Sequence, residues 1–286
     1  MIKSFIYPEI KDIDRQFAGV PSPVIKPDGD WKEFLPPHED QRVEGVESSA
    51  CYIEAQQAII ATLMEAMYGI KDSNFSARFN ALLSKGTEGG GDPLKGAYSI
   101  NHDGLIPQEM MDWQGIDSWQ EFHSWEGVDK EKCLQEGKNF LNQWEMSYKI
   151  VFEQDAPLKT KYILLKEALK RSPVAVSVYA WVEKNGVYYK PKGVSDTHLT
   201  MVAVSMNDKG QVIVRDTYYP YLKTLEKDTN FEFAIGWSVR RRNPQEQLDN
   251  IKKNFIIILY EHIANLIKRA YRVGGEVLAG VFSKRN

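Results

Sequence analysis

The most regular signal in the chain is a repeat of apolar positions at helical spacing. Tyr52, Ala55, Ile59, Leu63 and Ala66 recur every three or four residues, the mark of one buried helix face. The pattern predicts a helix over Ser48–Met67, with Ser48 or Ser49 as its N-cap and Gly69 as its stop. Shorter helices are expected over Asn74–Leu83, Pro93–Ile100, Glu131–Asn142 and Lys159–Lys170, and the stretch before Tyr148 also reads as helical. After Pro173 the character changes. Val174–Val182, Val187–Tyr189, His198–Met206, Gln211–Arg215 and Phe231–Arg240 are rich in β-branched and aromatic residues, which suit strands. Asn185-Gly186 signals a hairpin and Lys209-Gly210 a second turn. Helices first and antiparallel strands second predict an α+β fold.

Both ends carry a different pattern. Pro8, Pro21, Pro23, Pro27, Pro36 and Pro37 make the start of the chain irregular, so residues 1–34 are read as a leader or arm. The main domain is expected over residues 35–242, and residues 243–286 as a helical appendage. Asn243-Pro244-Gln245-Glu246 opens that appendage: an N-cap, a proline at the first helical position and a glutamate able to close a capping box. Leu248, Ile251, Phe255, Ile258 and Leu259 continue it as a stripe. The run Phe255–Leu259 is apolar almost all round and must bury more than one side. The helix is expected to pack on its own domain or on a homodimer or other partner; its basic flanks make docking on a membrane surface the less favoured alternative.

Composition narrows the function classes. Hydrophobic residues make up 43% and charged residues 26%, ordinary for a globular chain. The net charge of −3 supplies no basic footprint, so no nucleic-acid partner is expected. No transmembrane segment and no secretory signal are read from the sequence. The two cysteines, Cys51 and Cys133, are too few for a disulfide framework or a structural zinc site, so no metal is expected and at least one thiol should be unbridged.

Four residues then stand out. Cys51 falls in the first turn of the predicted helix, where the macrodipole favours a thiolate; it could equally be a small buried hydrophobe. His198 opens an apolar strand, and Asp216 ends the next one, where a carboxylate could orient an imidazole. Gln41 lies ten residues before Cys51, and its amide could donate to a developing oxyanion. Alone, each has a bland alternative: a core histidine, a turn aspartate, a surface glutamine. Cysteine on a helix, then histidine and aspartate on successive strands, is the more specific pattern.

These segments, taken in order, resemble the papain-like cysteine peptidases in a divergent form like those of phages and bacteria. The resemblance covers about residues 35–240. Leu35-Pro-Pro-His-Glu-Asp-Gln41 is similar to the segment leading to the family's oxyanion-hole glutamine, and Ser49-Ala-Cys51-Tyr-Ile-Glu-Ala55 to the helix bearing the nucleophile. Gly90-Gly91-Asp-Pro93, Ser172-Pro-Val-Ala-Val-Ser-Val178 and His198-Leu-Thr-Met-Val-Ala-Val204 follow in the family's order. The resemblance implies a papain-like fold and a cysteine endopeptidase acting on peptide or protein substrates without a cofactor. It implies catalytic roles for Cys51, His198 and Asp216, an oxyanion-hole role for Gln41, and substrate-binding roles for Gly90 and Gly91. With no signal peptide and no transmembrane segment read from the sequence, a cytoplasmic or virion-associated location is expected. The departures are a longer gap between Gln41 and Cys51, Ser49 and Tyr52 flanking the cysteine, Asp216 where papain has asparagine, and Thr217-Tyr-Tyr-Pro220 after it. A transglutaminase-like or acyltransferase enzyme, or an inactive papain-fold binding protein, remains open.

Overall fold

The computed structural model describes residues 23–43, 45–179, 182–190, 197–249 and 252; of Tyr179 and residues 197–200 it describes the backbone. Among the described residues up to Arg241, six α-helices and ten strands follow in chain order: β1 (Arg42–Val43), β2 (Val46–Glu47), α1 (Cys51–Tyr68), α2 (Ala77–Leu83), α3 (Pro93–Asp103), α4 (Trp119–Phe122), α5 (Lys130–Gln143), β3 (Trp144–Phe152), α6 (Leu158–Leu169), β4 (Val174–Tyr179), β5 (Val182–Lys184), β6 (Val187–Tyr189), β7 (Thr197–Met206), β8 (Val212–Arg215), β9 (Leu222–Leu225) and β10 (Phe233–Arg241). β1 and β2 form a small hairpin, and the others form one eight-stranded sheet in the order β3-β10-β4-β7-β8-β9-β6-β5. The α+β expectation therefore stands.

α1 is the central helix. It packs on β7 and β4 and on α2 and α3, and every residue from Cys51 to Met64 is buried. It is sheathed on all sides, which is why its apolar residues exceed one stripe. Gly69 stops it in a left-handed conformation (φ 67°), as expected. Its start differs. Ser49 has φ 55°, so the chain is not helical there, and the helix begins at Cys51 behind Ala50 rather than at Ser48. The main core joins Ile59, Leu63 and Ile100 to Val174, Val176, Val202, Val204, Phe233 and Ile235.

Two expectations need correction. The segment before Tyr148 is a strand, not a helix: in β3 Trp144, Met146 and Tyr148 are buried while Glu145 and Lys149 are exposed, a period of two. Second, the sheet is not wholly antiparallel, because β6 pairs with β9 in parallel, and β9 itself had no sequence expectation. The Asn185-Gly186 turn joins β5 to β6 as expected. Both residues have positive φ, 56° and 77°, as a tight hairpin turn requires.

Residues 25–34 pack on the core. The backbone N–H of Trp31 donates to Val204 at 2.9 Å, its indole N–H donates to the Leu169 carbonyl at 2.6 Å, and its side chain is fully buried. Residues 1–22 of the proposed arm lie outside the described residues. Residues from Arg241 onward form a second compact unit. In it residues 244–249 are helical, and the capping box closes both ways: Asn243 N–H to Glu246 Oε2 at 2.9 Å and Glu246 N–H to Asn243 Oδ1 at 2.8 Å. Ile251 and the apolar run from Phe255 lie outside the described residues.

Candidate active site

Cys51 is the first residue of α1 and is fully buried. The N-cap, Ala50, has no side-chain acceptor to offer the first-turn N–H groups. The positive end of the helix therefore lies at the thiol undiluted by a capping oxygen. Ser48 Oγ turns the chain into the helix by accepting from the Ala50 N–H at 3.2 Å. Neither Cys51 nor Cys133 is in a disulfide. Cys133, the second thiol, is buried in α5 with Phe79, Ile106 and Met111, and burial raises its pKa. It is packed as a small hydrophobe.

Gln41, ten residues upstream, is fully buried beside this helix start. Its carbonyl accepts from Ser48 N–H at 2.9 Å. Its side-chain Oε1 accepts from Thr217 Oγ1 at 2.7 Å. Its amide nitrogen donates to Glu47 Oε1 at 2.5 Å and to the Tyr218 hydroxyl at 2.6 Å. Tyr218 in turn donates to Glu47 Oε2 at 2.7 Å. Tyr218 lies close enough to Cys51 for a thiolate there to help raise the phenol's pKa, after burial and the Glu47 carboxylate. Between Gln41 and the helix, Arg42 pairs with Glu47 across the β1–β2 hairpin, which folds Glu47 back onto Gln41.

Asp216 follows β8 and is buried. The β7–β8 register pairs Val202 with Arg215, so the end of β8 lies opposite the middle of β7. Asp216 Oδ1 accepts from the Thr217 N–H at 2.7 Å, and Oδ2 takes a short bond from the Lys223 ammonium. Lys223 also donates to the Tyr218 carbonyl at 2.8 Å. Burial pushes the Asp216 carboxyl above its ordinary range, and Lys223 opposes that shift. Lys223 is a buried neighbour of the candidate site that the sequence did not flag; Leu222–Leu225 read as neither strand nor site. For His198 the backbone places the residue near the start of β7.

Gly90 and Gly91 are buried at the end of an exposed turn, Thr87–Gly89, which Ser49 Oγ meets by donating to the Glu88 carbonyl at 2.9 Å. A Cβ on Gly91 would fall 2.0 Å from the Tyr52 ring. Packing on Tyr52 is reason enough for that glycine, with no substrate needed.

Close to these residues lies an acidic cluster that the sequence did not flag, in which Glu54 and Arg215 are buried and Glu39 is half-buried. Glu39, Glu54, Gln57 and Arg215 line a cavity of about 20 Å³, room for roughly one water molecule. Glu39 Oε1, Glu54 Oε2, Gln57 Oε1 and Arg215 Nε have no protein partner there, while Arg215 Nη2 donates to the Pro37 carbonyl at 2.7 Å. Burial raises the Glu39 carboxyl to about 7, with Arg215 pulling the other way. Glu54 is raised well above the ordinary range by burial first and by the charges of Glu39 and Glu47 next. Each member neighbours a site residue in sequence: Glu39 is two before Gln41, Glu54 three after Cys51, and Arg215 next to Asp216. Among the described residues no group of three or more His, Cys, Asp or Glu could hold a metal ion, and no helix is long and apolar enough to cross a membrane.

No family model and no curated protein sequence matches this chain. Solved structures do. Bromelain from Ananas comosus, in complex with the inhibitor E64, aligns with a TM-score of 0.52 at 15% identity, over 73% of this chain and 97% of its own. Xylellain, a cysteine protease from Xylella fastidiosa, aligns at 0.53 and 12%, over 84% and 96%. Procathepsin B from Trypanosoma congolense aligns at 0.51 and 15%, over 84% and 88%. The fold is therefore papain-like. The neighbours come from a plant, a bacterium and a trypanosome, and do not single out the phage and bacterial type that the motifs resemble.

Proposed function

We propose that the chain is a papain-like cysteine peptidase. The observation that carries this is the position of Cys51: first residue of the central helix of a papain-like fold, with the Gln41 side chain buried beside the same helix start. In this reading Cys51 Sγ attacks the carbonyl carbon of a peptide bond. His198 gives its proton to the departing amine as the C–N bond breaks, and water then hydrolyses the thioester. Asp216 orients the imidazole. Gln41 and the Cys51 N–H stabilise the tetrahedral oxyanion. Gly90 and Gly91 would border the bound substrate backbone.

One observation favours a second reading, an inactive papain fold that binds rather than cuts. Cys51 is fully buried, and the amide of Gln41 already serves two acceptors. Casein hydrolysis and labelling by E-64 separate the two. The peptidase reading expects hydrolysis by the wild type, none by Cys51→Ala with an unchanged circular dichroism spectrum, and E-64 on Cys51 but not on Cys133. Hydrolysis by Cys51→Ala at the wild-type rate would remove the assignment. A wild type that neither cleaves nor labels is the binding protein.

A further inference from the structure

The hydrogen bonds around Gln41 can be counted. A primary amide carries two N–H hydrogens. Gln41 gives one to Glu47 Oε1 and the other to the Tyr218 hydroxyl. Tyr218 has a single hydrogen, which goes to Glu47 Oε2, so its oxygen is left to accept from Gln41. The carbonyl end is fixed by Thr217 Oγ1, which sets the orientation of the amide. In this arrangement Gln41 holds no hydrogen for a third acceptor. The competing acceptor is an anion, and hydrogen bonds to a carboxylate are about twice as strong as those between neutral groups.

Resting on the peptidase reading, we propose that Glu47 is a positioning residue that holds the oxyanion-site amide of Gln41 closed in the substrate-free protein. Glu47 is held from the β1–β2 hairpin, which occupies the extra length between Gln41 and Cys51. Its side chain is one-fifth exposed, and on its outer side it meets Arg42 Nε at 3.5 Å. The carboxylate therefore has a route to solvent by side-chain rotation, with Arg42 as the partner that receives it. A bound carbonyl oxygen that becomes an oxyanion during attack is itself charged and can replace the carboxylate on the amide; a neutral ground-state carbonyl competes less well. The lock thus opens in the transition state, and removing it lowers the barrier to acylation more than it tightens binding.

The test compares wild type, Glu47→Ala, Gln41→Ala and the double variant. Acylation of Cys51 by p-nitrophenyl acetate develops an oxyanion; alkylation by iodoacetamide displaces iodide and does not. A single oxyanion donor is worth roughly 100-fold in rate, so Glu47→Ala is expected to acylate at least about 10-fold faster. Cys51 alkylation, read by mass spectrometry against Cys133, should change less than about twofold. Adding Gln41→Ala should erase the gain, and Glu47→Gln, which keeps an acceptor without the charge, should give a smaller one. Acylation unchanged or slowed in both Glu47 variants, or a gain that survives Gln41→Ala, overturns the proposal. An inert Cys51 in every variant overturns the peptidase reading instead. The lock is then read directly from the Gln41 side-chain amide resonance, assigned by its loss in Gln41→Ala. Both hydrogens should exchange slowly with water in wild type and at least one faster in Glu47→Ala; fast exchange of both in wild type overturns the lock on its own.

Discussion

In the proposed peptidase reading, Asp216 carries two duties: it orients an imidazole and it neutralises a buried lysine. Its carboxylate is buried against Lys223, which is buried as well. Removing one partner of a buried ion pair strands the other charge and costs roughly 3–5 kcal/mol. Asp216→Asn, often regarded as mild because an amide can also orient an imidazole, is therefore expected to lower stability by about 3 kcal/mol. Pairing it with Lys223→Met should recover much of that loss. Urea denaturation of the three proteins checks it, and an Asp216→Asn midpoint equal to wild type would show that the pair contributes nothing. Any kinetic comparison of Asp216→Asn with Asp216→Ala has to be made where both are folded.

At the scale of elements, the glycine-rich turn and the start of α1 are fitted to one another. Tyr52 is almost fully buried, and its hydroxyl meets Ser84 Oγ at 2.8 Å. Gly86 and Gly91 both close on its ring or hydroxyl, with no space for a Cβ. Gly91→Ala should therefore destabilise by about 3 kcal/mol through overpacking against a ring that has nowhere to move. Gly115→Ala is the control: its φ of 75° strains an alanine, but the space around it is open, and about 1 kcal/mol is expected. Thermal melting of the two variants distinguishes them; equal losses would show that the contact with Tyr52 relaxes freely. Because Tyr52 follows Cys51, slack in this packing reaches the candidate nucleophile directly.

For the whole molecule, the Glu39–Glu54–Arg215 cluster ties stability to pH. Both carboxyls are raised on folding, so the native state binds more protons than the unfolded chain above the ordinary glutamate range. Stability must then fall as pH rises from about 4.5, where unfolded glutamates ionise, to about 7, where Glu39 does so in the folded protein. The Glu39 contribution alone is roughly 3 kcal/mol over that window. Glu39→Gln is expected to flatten the decline of Tm between pH 5 and pH 7 relative to wild type. Parallel curves for the two proteins would show that Glu39 does not take up a proton on folding.

Local pattern alone determined a good share of this protein. The α1 repeat, the Gly69 stop, the Asn185-Gly186 turn, the β-rich second half and the Asn243–Glu246 capping box depend on neighbours within a few residues, and each appears in the structure. The order of motifs marked the papain-like frame, and Cys51 at a helix start followed from the helix itself. Local pattern failed where the deciding partner is far along the chain. β3 is a strand because β10 and the core receive Trp144, Met146 and Tyr148, although the segment continues directly from α5. Ser49 is left-handed and bonded to Glu88, so α1 starts later than its serines suggest. Lys223 gains meaning only when β9 brings it to Asp216, and Glu39, Glu54 and Arg215 only when three separate segments gather them around one cavity. The gap between Gln41 and Cys51 was visible as a departure from the family. That it returns a carboxylate onto the glutamine it follows was decided by the hairpin register and by Tyr218, 177 residues from Gln41, because hydrogen-bond partners are set by proximity in space and not by order along the chain.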